Sequence, residues 1–153
     1  MIIAPPKSTI SWVEDDIDVI GSILRPFQDE KIRVDPYKNY AEAWNSRQKI
    51  AKTSILLLDL ILPWGNKVTE ERYGEIHEIS YGGILLLRNL RNEGIWPPTL
   101  VFSVAAHDRN PILNELNDLG VSYINKIVRS SELAEKICET AGWGYQAEQL
   151  NRK

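Results

Sequence analysis

Residues 54–65 read SILLLDLILPWG, and seven of the eight residues from Ile55 to Leu62 are apolar. A run of this kind is typical of a strand that is buried on both faces of a parallel sheet. The eighth residue is Asp59, and a carboxylate near the end of a buried strand costs free energy unless another group compensates its charge. The stretch therefore predicts a buried strand with a carboxylate at its carboxyl end. This position favours a functional role for Asp59 over that of a structural hydrogen-bond acceptor.

Strand-like segments also occur on either side of this stretch, and a helical pattern follows each of them. The other strands are predicted at residues 9–13, 31–34, 99–104 and 121–125. The helices are predicted at 17–27, from the N-cap Asn39, at 81–92, from the N-cap Asn110, and from about Ser130 to Gly142. Five strand–helix units in succession indicate an α/β fold with a parallel sheet covered by helices on both sides.

Composition and charge narrow the class of protein. The chain has 153 residues, enough for one domain with a substantial core, and 43% of them are hydrophobic against 25% charged. The formal net charge of −3 and the lack of a basic run argue against nucleic acid or a membrane surface as partner. Cys138 is the single cysteine, which excludes an internal disulfide and fits a reducing compartment. Because MIIAPPK is not signal-like and no apolar run reaches membrane-spanning length, the expected location is the cytoplasm.

Polar residues stand at the ends of four of the five predicted strands. They are Glu14 and Asp15 after the first, Asp59 in the third, Ser103 in the fourth and Lys126 after the fifth. The carboxyl ends of parallel strands meet at one edge of a sheet, where ligands bind, so these side chains are expected to converge. Three clustered carboxylates repel one another unless a cation lies among them, and such oxygen donors suit Mg²⁺. A carboxylate beside a metal ion and an ammonium group can accept a phosphoryl group as a nucleophile.

Four segments resemble the receiver domains of two-component response regulators, the CheY-like family. ISWVEDD is similar to the family's first strand with its acidic pair, and LLLDLILP to its phosphoacceptor strand. LVFSV matches the hydroxyl-bearing fourth strand, and SYINK the fifth strand with its lysine. The likeness covers residues 8–141 of a single domain over residues 1–153. It implies a flavodoxin-like, doubly wound α/β fold with five parallel strands in the order 2-1-3-4-5 and helices on both faces.

The resemblance also implies how the acidic residues act. Asp59 would be the phosphoacceptor and would also bind Mg²⁺. Asp15 would ligate the ion directly, Glu14 mostly through water, and Ile61 through its backbone carbonyl. The implied cofactor is therefore Mg²⁺, held by oxygen donors from two strand ends.

The remaining implied roles concern the phosphoryl group and the signal. Ser103 and Lys126 would contact the phosphoryl group, and Ser103 and Tyr123 would form a conformational switch. Lys126 could instead be a structural ion-pair partner of Asp59, and Tyr123 a plain packing residue. The donor would be a histidine kinase or a phosphotransfer protein, and the signal would pass by protein–protein contact, not by an enzymatic activity. The face made by the fourth helix, fifth strand and fifth helix would bind a downstream partner or form a homodimer.

Two positions beside the site depart from the family pattern. Ile127 follows Lys126 where the family has a proline after a cis bond. Since a cis bond before a non-proline residue costs about 3 kcal/mol, a trans junction and a different direction for Lys126 are expected. Val104 stands where the family prefers a small residue, and its branch would narrow the phosphoryl site.

These departures favour an alternative function, a degenerate receiver that serves as a protein-interaction module without being phosphorylated. The acids, the hydroxyl and the lysine, which are all present, oppose that alternative. A third interpretation is a phosphatase with an aspartate nucleophile. It is disfavoured because Ile61, two residues after Asp59, supplies no acid to protonate a leaving group.

Residues 64–82 form an insertion after the third strand that the family pattern does not explain. A short helix is predicted around residues 70–79, with Tyr73, Ile76 and Ile79 on one apolar stripe. A stripe this short must pack on the domain or on a partner, so one hypothesis is a lid that selects the phosphodonor and excludes water from Asp59. The alternative is a solvated insertion without a role. Residues 142–153 form a C-terminal extension, of which the polar segment 145–153 is expected to extend the last helix or to form a tail.

Overall fold

The computed structural model describes residues 1–65, 82–106 and 111–146. The strands in these residues are Ile2–Ile3 (β1), Thr9–Val13 (β2), Arg33–Tyr37 (β3), Ile55–Leu58 (β4), Thr99–Phe102 (β5), Ser122–Ile124 (β6) and Gly144–Tyr145 (β7). The α-helices are Ile17–Ile20 (α1), Arg25–Asp29 (α2), Tyr40–Asn45 (α3), Arg47–Ile50 (α4), Gly82–Asn92 (α5), Ile112–Asp118 (α6) and Ser130–Ala141 (α7). Two sequence predictions, the short helix around residues 70–79 and the N-cap Asn110, lie outside the described residues.

Strands β2 to β6 form one parallel sheet in the order β3-β2-β4-β5-β6. Counted along the chain, these five strands have the order 2-1-3-4-5, as predicted. β4 is the central strand, where Leu58 is in register with Val13 on one side and Val101 on the other. The flavodoxin-like fold predicted from the sequence is therefore confirmed.

The central strand contributes to two hydrophobic cores, because alternate residues of a strand point to opposite faces of the sheet. Leu56 and Leu58 belong to the core that includes apolar residues of α5. Ile55 and Leu57 belong to the core that includes apolar residues of α7. All four side chains are fully buried, which explains why the strand is apolar without alternation.

The edge strand β3 begins and ends later than the sequence predicted. The prediction placed it at residues 31–34, whereas it spans Arg33–Tyr37. Lys31 has a φ of 62°, so the chain is still turning at that residue. Pro36 lies inside the strand in register with Trp12. A proline is tolerated there because β3 is at the edge of the sheet.

The first predicted helix, residues 17–27, is broken into three pieces. α1 ends at Ile20, a 3₁₀ turn covers Gly21–Leu24, and α2 begins at Arg25. Gly21 is a poor helix former, and Pro26 lacks the N–H that a continuous helix would need. None of the helices in the described part of the chain combines the length and the apolar character of a membrane span.

A second, antiparallel sheet joins the two ends of the described chain, and the sequence did not predict it. Ile2 is in register with Tyr145 and Ile3 with Gly144. The expectation of a helix extension or tail over residues 145–153 is therefore wrong for Tyr145, the first residue of that segment. Gly142 has a φ of 75° and ends α7, which turns the chain into β7.

The start of α5 lies directly against the backbone that follows β4. A Cβ atom on Gly83 would be 2.0 Å from the carbonyl oxygen of Asp59, and one on Gly82 would be 2.3 Å from that of Leu62. Only glycine permits so close an approach. The Gly83 N–H also donates to the carbonyl oxygen of Leu60 at 3.1 Å. This glycine pair therefore helps to fix the path of the backbone that carries Asp59.

Gly83→Ala is expected to lower the free energy of unfolding by about 2 kcal/mol, because the new methyl group would meet backbone atoms that cannot rotate aside. Chemical denaturation measures this difference. Gly21→Ala is the matched control, since its φ is −55° and no heavy atom lies within 4 Å of the added Cβ. The control should be neutral or slightly stabilising. Equal stabilities for the two variants would contradict the packing argument.

Candidate functional site

Asp59 follows the last residue of β4, and both its main chain and its side chain are hydrogen-bonded to backbone groups. Its N–H donates to the carbonyl oxygen of Val13 at 3.0 Å, which continues the ladder one residue beyond the strand. Its Oδ1 accepts the N–H of Ile61 at 3.1 Å. The side chain is almost fully buried. The carboxylate is thus fixed at the carboxyl end of the central strand, with the Ile61 backbone beside it.

The two acids after β2 lie next to this carboxylate. Glu14 donates its N–H to the carbonyl oxygen of Tyr37 at 2.9 Å, and its side chain is completely buried. Asp15 is exposed. One carboxylate oxygen from each of Glu14, Asp15 and Asp59 lies within 4.8 Å of the others. The convergence of the three acids that the sequence predicted is confirmed.

Lys126 bridges the two buried carboxylates. Its Nζ lies 2.7 Å from Oδ2 of Asp59 and 2.7 Å from Oε2 of Glu14. No peptide bond in the described residues is cis, so the predicted trans junction between Lys126 and Ile127 is confirmed. The different direction expected for Lys126 stays a prediction, and its ammonium group reaches Asp59 across this trans junction.

The charges in this cluster change the acidity of its members. Burial, and secondly the nearby charge of Asp59, raise the pKa of Glu14 to about 8, although Lys126 acts in the opposite direction. Burial alone would lower the pKa of Lys126, but the close contacts with the Asp59 and Glu14 carboxylates raise it above its ordinary value. The lysine is therefore charged near neutral pH, whereas Glu14 holds a proton far more readily than an ordinary glutamate.

The donor set fits a divalent cation. Three carboxylates and one ammonium group carry a net charge of −2 when all are ionised, which one Mg²⁺ ion would neutralise. Oε2 of Glu14 is buried and makes no directed hydrogen bond among the described residues. Its 2.7 Å contact with Lys126 is therefore an ion pair of poor hydrogen-bond geometry. A buried carboxylate oxygen without a directed donor is a group that a cation or its water would satisfy.

The residues after β5 and within β6 occupy the same edge of the sheet but make other contacts. Ser103 is fully buried, and its Oγ accepts the N–H of Ala105 at 3.2 Å. Tyr123 is in register with Val101 and packs, partly buried, against the core that contains α5. Val104 is 51% exposed. The narrowing of the phosphoryl site by Val104 and the switching of Tyr123 both stay predictions.

Two features near the site were not predicted from the sequence. One is the close approach of Gly83 to Asp59. The other is Asn125, whose side chain bonds to the backbone of Ile127, after the lysine, and to that of Ala106, in the loop after β5. A glycine pair at a helix start and an asparagine before a loop are both signals of special backbone geometry. Both patterns are common in sequences, so neither indicates by itself which backbone atoms the glycine or the asparagine will contact.

Comparison with solved structures identifies the fold. The signal receiver domain of a putative Luxo repressor protein from Vibrio parahaemolyticus has a TM-score of 0.67 and 15% identity, covering 89% of this chain and 91% of that chain. The BeF3-activated N-terminal receiver domain of Klebsiella pneumoniae RstA has a TM-score of 0.64 and 24% identity, covering 88% of this chain and 98% of that chain. A CheY-like receiver domain protein from Methanospirillum hungatei has a TM-score of 0.63 and 20% identity, covering 88% of this chain and 94% of that chain. No protein family model and no curated protein sequence matches the chain. The chain thus has the fold of response regulator receiver domains.

Proposed function

We propose that this chain is the phosphoacceptor receiver domain of a two-component phosphorelay and that it is phosphorylated on Asp59 with Mg²⁺ bound. The observation that carries the proposal is the contact of one lysine with two buried carboxylates at the carboxyl end of a parallel sheet. Lys126 lies 2.7 Å from both Asp59 and Glu14. The receiver fold and the acidic cluster support the same assignment.

The metal would be held directly by Asp59 and Asp15 and mostly through water by Glu14, with the backbone carbonyl of Ile61 as a further ligand. When bound, Mg²⁺ supplies positive charge that offsets the carboxylates and the oxygens of an incoming phosphoryl group. Asp15 is exposed, so it can exchange water for metal without breaking a core contact. Glu14 would lose its proton on metal binding, since a metal ligand must be ionised.

The chain's own residues provide the remaining chemistry. An oxygen of Asp59 attacks the phosphorus atom, a new O–P bond forms, and the bond from phosphorus to the donor's nitrogen or oxygen breaks with its electron pair. Lys126 offsets the charge that develops on the phosphoryl oxygens. Ser103 stands at the end of the neighbouring strand, where its hydroxyl can donate to one of these oxygens.

The signal would leave the domain by protein–protein contact. The donor is a histidine kinase or a phosphotransfer protein, and the downstream partner binds the face made by α6, β6 and α7. Ser103 directly follows β5, and Tyr123 lies in the middle of β6, the strand of this face that pairs with β5. In this proposal the domain works in the cytoplasm, and the same face is where a homodimer would form.

Incubation with acetyl phosphate and Mg²⁺ is expected to add one base-labile phosphoryl group to the protein, measured as intact mass. Asp59→Asn should abolish the gain. Asp18→Asn is the matched control, because this aspartate is 85% exposed and pairs only with Lys38 among the described residues. The control should be phosphorylated like the wild type. A wild type that gains no mass, or a gain that survives Asp59→Asn, would replace this proposal with the phosphorylation-independent interaction module.

A further inference from the structure

Asn125 encloses Lys126 in a side-chain turn. Its Oδ1 accepts the N–H of Ile127 at 2.9 Å, so the asparagine side chain spans the lysine and ties the residue after it. This is the turn that asparagine forms with the backbone two residues on. The carbonyl oxygen of Asn125 also accepts the N–H of Val128 at 3.3 Å. The backbone on both sides of Lys126 is therefore fixed by one residue.

The other end of the same side chain binds a different loop. Nδ2 of Asn125 donates to the carbonyl oxygen of Ala106 at 3.1 Å and to that of Val104 at 3.4 Å. These residues follow Ser103, whose own N–H donates to Ile124 at 3.3 Å. The amide orientation is consistent, since its oxygen faces an N–H and its nitrogen faces two carbonyls. Asn125 thus joins the loop after β5 to the loop after β6.

We propose that Asn125 is a positioning residue that holds Lys126 on the buried carboxylates and couples the lysine to the loop that begins at Ser103. The phosphorylation part of this inference rests on the proposed function above, whereas the positioning part does not. Asn125 touches neither carboxylate, so it acts through Lys126. The side chain of Asn125 makes hydrogen bonds to three backbone groups, those of Val104, Ala106 and Ile127.

The loop is anchored on either side by Ile124 and Val128, which pack partly buried against the core that contains α7, but not at the residue directly after the lysine. Ile127 is 87% exposed, so the residue after Lys126 has no core contact to anchor it. β6 has three residues and lies at the edge of the sheet. Fixing a lysine costs both side-chain rotamer entropy and backbone entropy, and the backbone part is smaller when the backbone is already held. The Asn125 bonds provide this preorganisation.

Two substitutions separate the bond from Asn125 to Ile127 from its bonds to Val104 and Ala106. Asn125→Ala removes all three side-chain bonds. Asn125→Ser keeps an oxygen that can accept the N–H of Ile127 but removes the reach to Val104 and Ala106. Thr53→Ala is the matched control for lost stability. Thr53 Oγ1 donates to the carbonyl oxygens of Thr9 and Ile55, at 3.2 and 3.1 Å, at the opposite end of the strands.

The first readout does not depend on phosphorylation. NMR of ¹⁵N-lysine-labelled protein, assigned with Lys126→Met, measures the exchange of the Lys126 ammonium protons with water. We expect slow exchange in the wild type and in Thr53→Ala, and exchange at least about tenfold faster in Asn125→Ala. Asn125→Ser should lie between them. Unchanged exchange in Asn125→Ala would overturn the positioning role, whether or not the protein accepts a phosphoryl group.

The second readout tests the consequence for phosphoryl transfer. Asn125→Ala should slow phosphorylation by acetyl phosphate by about tenfold or more, because a misplaced lysine no longer stabilises the transition state. Its affinity for Mg²⁺ should be unchanged or tighter, since the ammonium then competes less with the ion. Thr53→Ala should change neither quantity. A wild type without phosphorylation refutes the proposed function alone, whereas equal rates for wild type and Asn125→Ala refute the coupling of Asn125 to the reaction.

Discussion

Lys126→Met is expected to lower the free energy of unfolding by about 3–5 kcal/mol at pH 8, because removing one partner leaves buried charges uncompensated. The lysine contacts both Glu14 and Asp59, which are 0% and 4% exposed. Without it the pKa of Glu14 rises further, so at pH 8 the folded protein must either bind a proton at Glu14 or bear the repulsion of two buried carboxylates. At pH 5 the loss should be smaller, since a carboxyl group can bind a proton there. Urea denaturation at the two pH values measures both effects.

An exposed ion pair provides the control for this prediction. Arg88 pairs with Glu115 on the surface, where the side chains are 49% and 31% exposed, and Arg88→Met should cost less than about 1 kcal/mol. Adding Asp59→Asn to Lys126→Met should recover stability, because a neutral amide removes the repulsion. Mg²⁺ should also stabilise Lys126→Met more than the wild type. If Lys126→Met costs no more than Arg88→Met, the lysine does not compensate the buried charges.

The sheet could be predicted from the sequence because its signals are local and strong. The apolar run at Ile55–Leu58 can be satisfied only by a strand with neighbours on both sides, and its two cores confirm that interpretation. The N-cap Asn39 was predicted equally well, and its Oδ1 accepts the N–H of Glu42 at 2.8 Å. The small β1–β7 sheet escaped prediction because it pairs residues more than 140 positions apart, each strand having only two residues. Such short strands carry no periodicity to detect.

The residues that form the site could be predicted from the sequence, but the ion pairs and hydrogen bonds among them could not. Parallel strands bring their carboxyl ends together, so the residue types at the strand ends were enough to place Glu14, Asp59 and Lys126 in one cluster. The sequence does not indicate that one ammonium group is shared by two carboxylates, because that depends on backbone positions to within about 1 Å. For the same reason the Asn125 bonds emerged only from the folded geometry.

The stability of the protein without divalent cations is expected to fall as the pH rises from about 5 to 8. Burial first and the charge of Asp59 second raise the pKa of Glu14 from 4.5 to about 8 in the folded protein. The folded state therefore binds a proton more tightly than the unfolded state across this window, and stability decreases with pH wherever that holds. The loss begins near pH 4.5, is complete above about pH 8, and is expected to reach about 2–4 kcal/mol. Urea denaturation in a chelating buffer at one-unit pH steps measures the slope.

Glu14→Gln is the control that isolates this effect, because a neutral amide of nearly the same shape binds no proton at any of these pH values. The difference between the two proteins also cancels the titration of every group that both proteins contain. Since Mg²⁺ requires the ionised carboxylate, its affinity for the wild type should rise with pH and its binding should release protons, whereas Glu14→Gln should show a flatter dependence. Saturating Mg²⁺ should then reduce the pH slope of wild-type stability. Parallel slopes for wild type and Glu14→Gln in chelating buffer would show that Glu14 is ionised throughout, with Lys126 compensating its charge fully.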